Sequence, residues 1–272
     1  MKQFLKFIIL IIIMSLIILA TFLFYRSKTD TNKAKLTTIT SIPTENDKKI
    51  VACTRTTRLE NAPQYDRALS LINQRVSNDV NFWKKYGEDA ESKKRGFNFF
   101  PANITNCIKI IEKNIDNTGA EGYVDFDRKD LSPNYYPIVI DTKYELSDDI
   151  STAFLLVHEI THVQQYLDSL NGKKQLPCVD KEVEAFIAQE KFYLILNMEE
   201  NSSVYNRMMY SDNNFIQPQI KMLRSMLEIN KESGCDFGED LNNGGKCRDD
   251  NLHAKLKEII TKDKIYKKEC NI

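Results

Sequence analysis

The stretch FLLVHEITHVQQY, from Phe154 to Tyr166, sets two histidines four positions apart with a glutamate between them, inside an otherwise apolar run. Four residues are just over one helical turn, so a helix carries His158 and His162 on one face. Glu159 stands one position round. Phe154, Leu155 and Val157 before the motif and Val163 after it predict a buried helix. Three polar groups in a buried helix need partners, because unpaired polar groups in an apolar interior are costly. Whatever packs around this helix must therefore bring further donors to the two imidazoles.

A metal ion meets that need. Two imidazoles at i and i+4 suit Zn2+, and the intervening glutamate reaches a water without becoming a ligand. The spacing predicts His158 and His162 as metal ligands and Glu159 as the catalytic base. Two of the chain's three histidines sit in this pattern.

The flanking segments predict the local framework. The β-branched run at 138–140 reads as a strand, and Pro137 suggests an edge strand or a strand's first residue. Ser147, Asp148 and Asp149 offer capping oxygens for a helix from Ile150 to Leu170, stopped by Asn171–Gly172. DKEVEAFIAQEKFYLIL reads as a second helix with Asp180 as its cap. Helical patterns also occur over 61–83, 104–115, 216–229 and 251–266. The expected fold class is mainly α with a small β-sheet (α+β).

The first 25 residues set the cellular context. After the flank 1–6, which carries Lys2 and Lys6, residues 7–25 are apolar apart from Ser15 and Thr21. That length, with no clear cleavage site after it, suits an uncleaved bilayer-spanning signal-anchor helix; cleavage and secretion is the alternative. Residues 26–50 are rich in Thr, Lys, Asp and Asn and read as a linker. The folded domain is expected over 51–272. All six cysteines lie beyond the apolar run, none in a CxxC pair, which predicts three disulfides in an extracytoplasmic, oxidising compartment. Cys235 with Cys247 is the pairing the loop CDFGEDLNNGGKC favours. The same loop matches a calcium site only in part, since Asn251 stands where a bidentate glutamate is needed. With 38 basic and 38 acidic residues there is no charge excess to drive nucleic-acid binding, and no nucleotide-binding glycine loop is present.

The FLLVHEITHVQQY helix resembles the active-site helix of the zincin metallopeptidases, and its HExxHVxQ form is similar to bacterial metallopeptidases of little-known function. The resemblance spans about residues 138–190. It implies a membrane-anchored extracytoplasmic enzyme that hydrolyses peptide bonds with a zinc-activated water and Glu159 as general base, acting on a peptide or protein substrate. In the gluzincin branch the third ligand is a glutamate about twenty residues on, often followed by alanine. Glu184–Ala185 fits that pattern, with Glu182, Asp180 and Glu190 as rivals on the same segment. The metzincin pattern needs glycine where Gln165 stands and a ligand where Asp168 stands. His253 is the remaining option. Tyr205, Tyr210 and His253 are candidate oxyanion donors by chain position, and the 138–140 strand resembles the edge strand that pairs with substrate in zincins. Two other readings stand beside the peptidase. One is a non-catalytic surface protein with a structural or degenerate zinc site, for which Cys178 is the nearest extra ligand. The other is a zinc amidase acting on cell-wall peptides.

Overall fold

The computed structural model describes residues 53, 55–87, 96–115, 118–126, 135–210, 218–232 and 246–272. The expected anchor at 7–25, the linker at 26–50, the loop at 240–245 and Cys235 lie outside these residues, and so does the expected Cys235–Cys247 pair. No helix among the described residues is long and apolar enough to cross a membrane. The chain is mainly helical with a three-stranded sheet, an α+β arrangement.

Helix α1, Pro63–Tyr86, starts on a proline, whose missing N–H is tolerated in a first turn. Tyr65, Ala68, Leu69, Ile72 and Val76 form its buried stripe. A 3-10 turn, Ala102–Cys107, then leads into strand β1, Ile108–Lys113. The helix expected over 104–115 is thus replaced by a turn and a strand. Cys107, Ile108 and Ile111 have helical spacing, but burial alternates from Ile108 to Ile111, and pairing with a neighbouring strand decides the outcome.

Strand β2, Gly122–Val124, and strand β3, Tyr136–Asp141, complete the sheet in the order β1-β3-β2. β1 runs parallel to β3 and β2 antiparallel to it. The expected edge strand is therefore the central one, and every residue of β3 is buried. Pro137 is tolerated there because its carbonyl accepts from Asp125 N, at the point where β2 ends. Its missing N–H faces the same way, so it falls where the ladder stops.

Helix α2, Asp149–Leu170, follows with Asp148 as N-cap, its carboxylate accepting from Ile150 N and Ser151 N. Burial would raise the Asp148 carboxyl, but the bonds from Ser151 and the nearby Arg207 outweigh it and hold the group below its ordinary value. Helix α3, Cys178–Leu194, packs against α2. Pro177, not Asp180, occupies its N-cap; Asp180 sits in the first turn and pairs with Lys257 Nζ at 2.7 Å. Phe154 and Phe192 meet edge to face, and the Gln189 amide donates to the Phe154 carbonyl at 2.7 Å. That bond fixes α3 on α2 one turn before His158.

Helix α4, Met198–Tyr210, buries Val204 and Met208, one turn apart. Asn197 and Glu200 close a capping box at its start, each side chain accepting from the other's backbone N–H. Glu200 also takes a two-pronged bond from Arg75 on α1. Helices α5, Pro218–Glu232, α6, Lys246–Lys262, and α7, Lys264–Cys270, finish the chain.

Among the described residues there are two disulfides, Cys53–Cys107 and Cys178–Cys270. The second spans 92 positions and ties α7 to the first residue of α3. Constraining a loop of that length in the unfolded chain stabilises the fold by about 4–5 kcal/mol on chain-entropy reasoning.

Candidate metal centre

His158 and His162 project from α2 into a cleft of about 800 Å³. The residue that meets them is Glu182, one turn into α3 after the Cys178 disulfide. His158 Nε2 lies 3.2 Å from Glu182 Oε2, and His162 Nε2 lies 3.4 Å from Glu182 Oε1. One donor atom from each of the three falls within 4.8 Å of the other two. Glu184, the third ligand the resemblance implied, is not brought there. Its carboxylate lies 3.8 Å from His253 Nε2, on a partly exposed face.

Helical geometry explains the difference. Two positions on a helix turn a side chain by about 200°, so Glu182 and Glu184 point to opposite sides of α3. Glu182 shares its face with Val179, Val183 and Phe186, all buried. Glu184 has Asp180 and Lys181 as its neighbours one turn back. Membership of the apolar stripe was the signal available in the sequence.

The other rivals lie elsewhere. Asp168 pairs with Lys173 at 3.0 Å and accepts from Gln164. Glu190 is buried on α3 but does not join the donor set. Cys178 is in a disulfide and has no thiolate to offer. Tyr205 is 46% exposed on α4 and does not line the cleft, nor does His253. The side chain of Tyr210 lies outside the described residues.

Gln165 does define the site. Its amide nitrogen donates to the Lys181 carbonyl at 3.0 Å, so its oxygen must be the atom 2.9 Å from His162 Nδ1. A neutral His162 therefore carries its proton on Nδ1 and turns the Nε2 lone pair toward Glu182. The residue that breaks the metzincin pattern thus orients His162 and ties α2 to α3. His158 is placed by packing instead: its ring meets Phe186 at 4.6 Å and His162 at 4.9 Å, and its buried Nδ1 has no hydrogen-bond partner among the described residues.

The charges in the cluster oppose one another strongly. Burial would lower His162, but Glu182, with smaller help from Glu159 and Gln165, pushes it up to about 10. Burial lowers His158 against the opposing pull of Glu182. Burial would raise Glu182, and the two histidines outweigh it, holding its carboxyl well below the usual carboxylate range. Glu159 behaves differently: burial pushes its carboxyl up to about 8, with His162 opposing.

Two imidazoles and one carboxylate are a donor set suited to zinc. The histidine Nε2 atoms lie 3.2 and 3.4 Å from the two different oxygens of the Glu182 carboxylate, so the three side chains converge. No fourth His, Cys, Asp or Glu among the described residues joins the set. The three residues could hold one metal ion at the wall of the cleft.

The edge strand and the last helix form other parts of the cleft wall. A Cβ on Gly122 would meet Val139 O at 3.1 Å, Leu155 at 3.3 Å and Glu159 Oε1 at 3.5 Å, so glycine allows β2 its close approach to Glu159. Tyr266 and Glu269 enter the cleft from α7. The Tyr266 ring packs on Phe186 at 5.9 Å. Burial, and then Glu182, Glu269 and Glu159, raise its phenol well above the ordinary value, so it stays a hydrogen-bond donor. Burial, then Glu182, push the Glu269 carboxyl up to about 7 against His162. Neither residue was singled out from sequence, because tertiary packing and the Cys178–Cys270 disulfide carry α7 to the site.

Compared with protein-family models, curated proteins and solved structures, the chain gives no match to any of them.

Removing the Gln165 amide frees the His162 ring and leaves the Lys181 carbonyl without its donor. Gln165→Ala is expected to weaken zinc binding about 10–100-fold. Gln164→Ala, which loses only a bond to Asp168, leaves it unchanged. Competition titration against a chromophoric chelator reads both.

Proposed function

We propose that this protein is a zinc-dependent metallopeptidase that hydrolyses peptide bonds, with His158, His162 and Glu182 as metal ligands and Glu159 as general base. The observation that carries the reading is the convergence of Glu182 on the two histidines beside Glu159 in an open cleft. It belongs with the zincin type of site, in a gluzincin-like version whose glutamate falls at 182 rather than 184.

Zinc, when bound, lowers the pKa of a water and polarises the scissile carbonyl. The chain's own groups do the rest. Glu159 accepts the proton of the attacking water on a carboxylate oxygen and delivers it to the leaving amine. A neighbouring dication favours the ionised form this role requires, against the burial that raises it. Tyr266, which lines the cleft, supplies the phenolic O–H that donates to the oxyanion developing on the attacked carbonyl.

β2 supports orientation of the substrate. Glu121, Tyr123 and Asp125 form the ladder with β3, so Gly122 and Val124 turn their N–H and C=O groups to the open edge. An extended peptide adds there as a further strand, alongside Glu159. This moves the substrate-pairing role from β3, which has neighbours on both sides, to β2.

A structural zinc site needs a fourth protein ligand, and the disulfide at Cys178 removes the nearest one. Membrane anchorage through residues 7–25 and an extracytoplasmic domain complete the proposal, supported by that apolar run and the two disulfides.

The test is metal analysis and hydrolysis together. The purified protein is expected to hold about one zinc per chain and to cleave an unfolded protein substrate. Treatment with 1,10-phenanthroline should abolish cleavage, and added zinc should restore it. A well-folded protein that takes up no zinc would sink the reading.

A further inference from the structure

Helix α7 has no fully buried residue, yet it is held at three points around the cleft. Ile265 packs against the loop before β2, where its Cδ1 lies 3.2 Å from the position a Cβ on Gly119 would take. Tyr266 rests on Phe186 of α3, and Cys270 is bonded to Cys178. The helix therefore crosses the cleft from the edge-strand side to the ligand-bearing helix. Glu269 precedes the disulfide directly, so that bond sets its place in the wall.

Five acids line the cleft, against Lys181 and Lys221. Three have evident tasks. Glu121 accepts from Tyr144 Oη at 2.8 Å and faces Lys143 Nζ at 3.4 Å. Asp263 caps α7 through Ile265 N, and Glu182 holds the two histidines. Glu159 lies beside the donor set as the proposed base. Glu269 remains. It takes no part in the metal donor set, and no hydrogen bond from a described residue acts on it. Nor does its own helix favour it, since an acid in a last turn opposes the helix dipole and the neighbouring Lys267 and Lys268 suit it better. Among the described residues only the charge on His162 offsets the cost of burying this carboxylate, and a cationic ligand group entering the cleft would lower that cost further.

We propose that Glu269 is a specificity-determining residue of this cleft, binding an ammonium or guanidinium group of a peptide substrate. The inference rests on the peptide-cleft reading above. The cation comes either from a lysine or arginine side chain or from a free amino terminus, and both place the same charge against the carboxylate.

Binding of peptides to the purified full chain, stripped of metal with chelator so that nothing is cleaved, tests this by calorimetry. Three probes of one alanine-rich sequence serve: acetylated and neutral, free at the amino end, and acetylated with a single lysine moved along the chain. At least one cationic probe is expected to bind about 10-fold more tightly than the neutral parent, a difference typical of a charge-assisted pair. Glu269→Gln should erase that preference and leave the neutral affinity unchanged, while Glu269→Asp keeps part of it. The free-amine and lysine arms separate the two sources of the cation. Equal binding of neutral and cationic probes, a preference that survives Glu269→Gln, or no binding by any probe overturns the proposal. Failure of the zinc-loaded protein to hydrolyse peptides would count against the peptidase reading alone, since the binding comparison does not depend on turnover.

Discussion

Glu182→Gln is expected to strip the site of stoichiometric zinc, whereas Glu184→Gln leaves the metal content of the protein unchanged. The two glutamates are two positions apart on one helix, and their surroundings differ completely. Glu182 sits within 3.2 and 3.4 Å of the histidine Nε2 atoms. Glu184 lies on the far side of α3, 3.8 Å from His253 and about a third exposed. An amide keeps the shape of the carboxylate but carries no charge and is a poor zinc ligand. The loss at Glu182 should therefore exceed the roughly 10–100-fold expected for a residue that only supports a ligand. Metal content by mass spectrometry of both variants, with circular dichroism to establish that each is folded, decides the matter. Retention of zinc in Glu182→Gln together with loss in Glu184→Gln would reverse the ligand assignment.

Glu159→Gln separates catalysis from metal binding. Glu159 lies beside the donor set but is not part of it. The variant is expected to keep its zinc while losing about 10²–10⁴-fold in kcat, the range that positioned proton transfer contributes. Its fold should be at least as stable as that of the parent, because burial already disfavours the ionised carboxylate. A variant that holds zinc and cleaves at the parent rate would remove Glu159 from the mechanism. One that loses zinc would make it a ligand instead.

Much of the local framework was legible in the sequence. The helix read over 150–170 is Asp149–Leu170, with the expected aspartate cap, and the strand read over 138–140 lies inside Tyr136–Asp141. Both carry strong local signals: a capping side chain followed by apolar residues, and a β-branched run. The segment 104–115 was misread because apolar residues there satisfy two periods at once, and only pairing with β3 selects the strand. Helix α4 was missed because its buried apolar face is short, Val204 and Met208, and its start depends on the Asn197–Glu200 box and the Arg75 bond.

The divide within the site has a physical basis. Residues on one helix have a relation set by 3.6 residues per turn, so His158, Glu159 and His162 could be read as a unit from their spacing alone. Everything that joins them comes from other elements, whose facing is settled by packing. Glu182 rather than Glu184 points inward because the stripe of Val179, Val183 and Phe186 is what α3 buries against α2. Gln165 orients His162 only because the Lys181 carbonyl is near enough to hold its amide. Tyr266 and Glu269, more than a hundred positions after the motif, reach the cleft through the Cys178–Cys270 bond. Spacing along one helix determined where the histidine pair and Glu159 would stand; the burial of α3 and the placement of α7 decided what faces them.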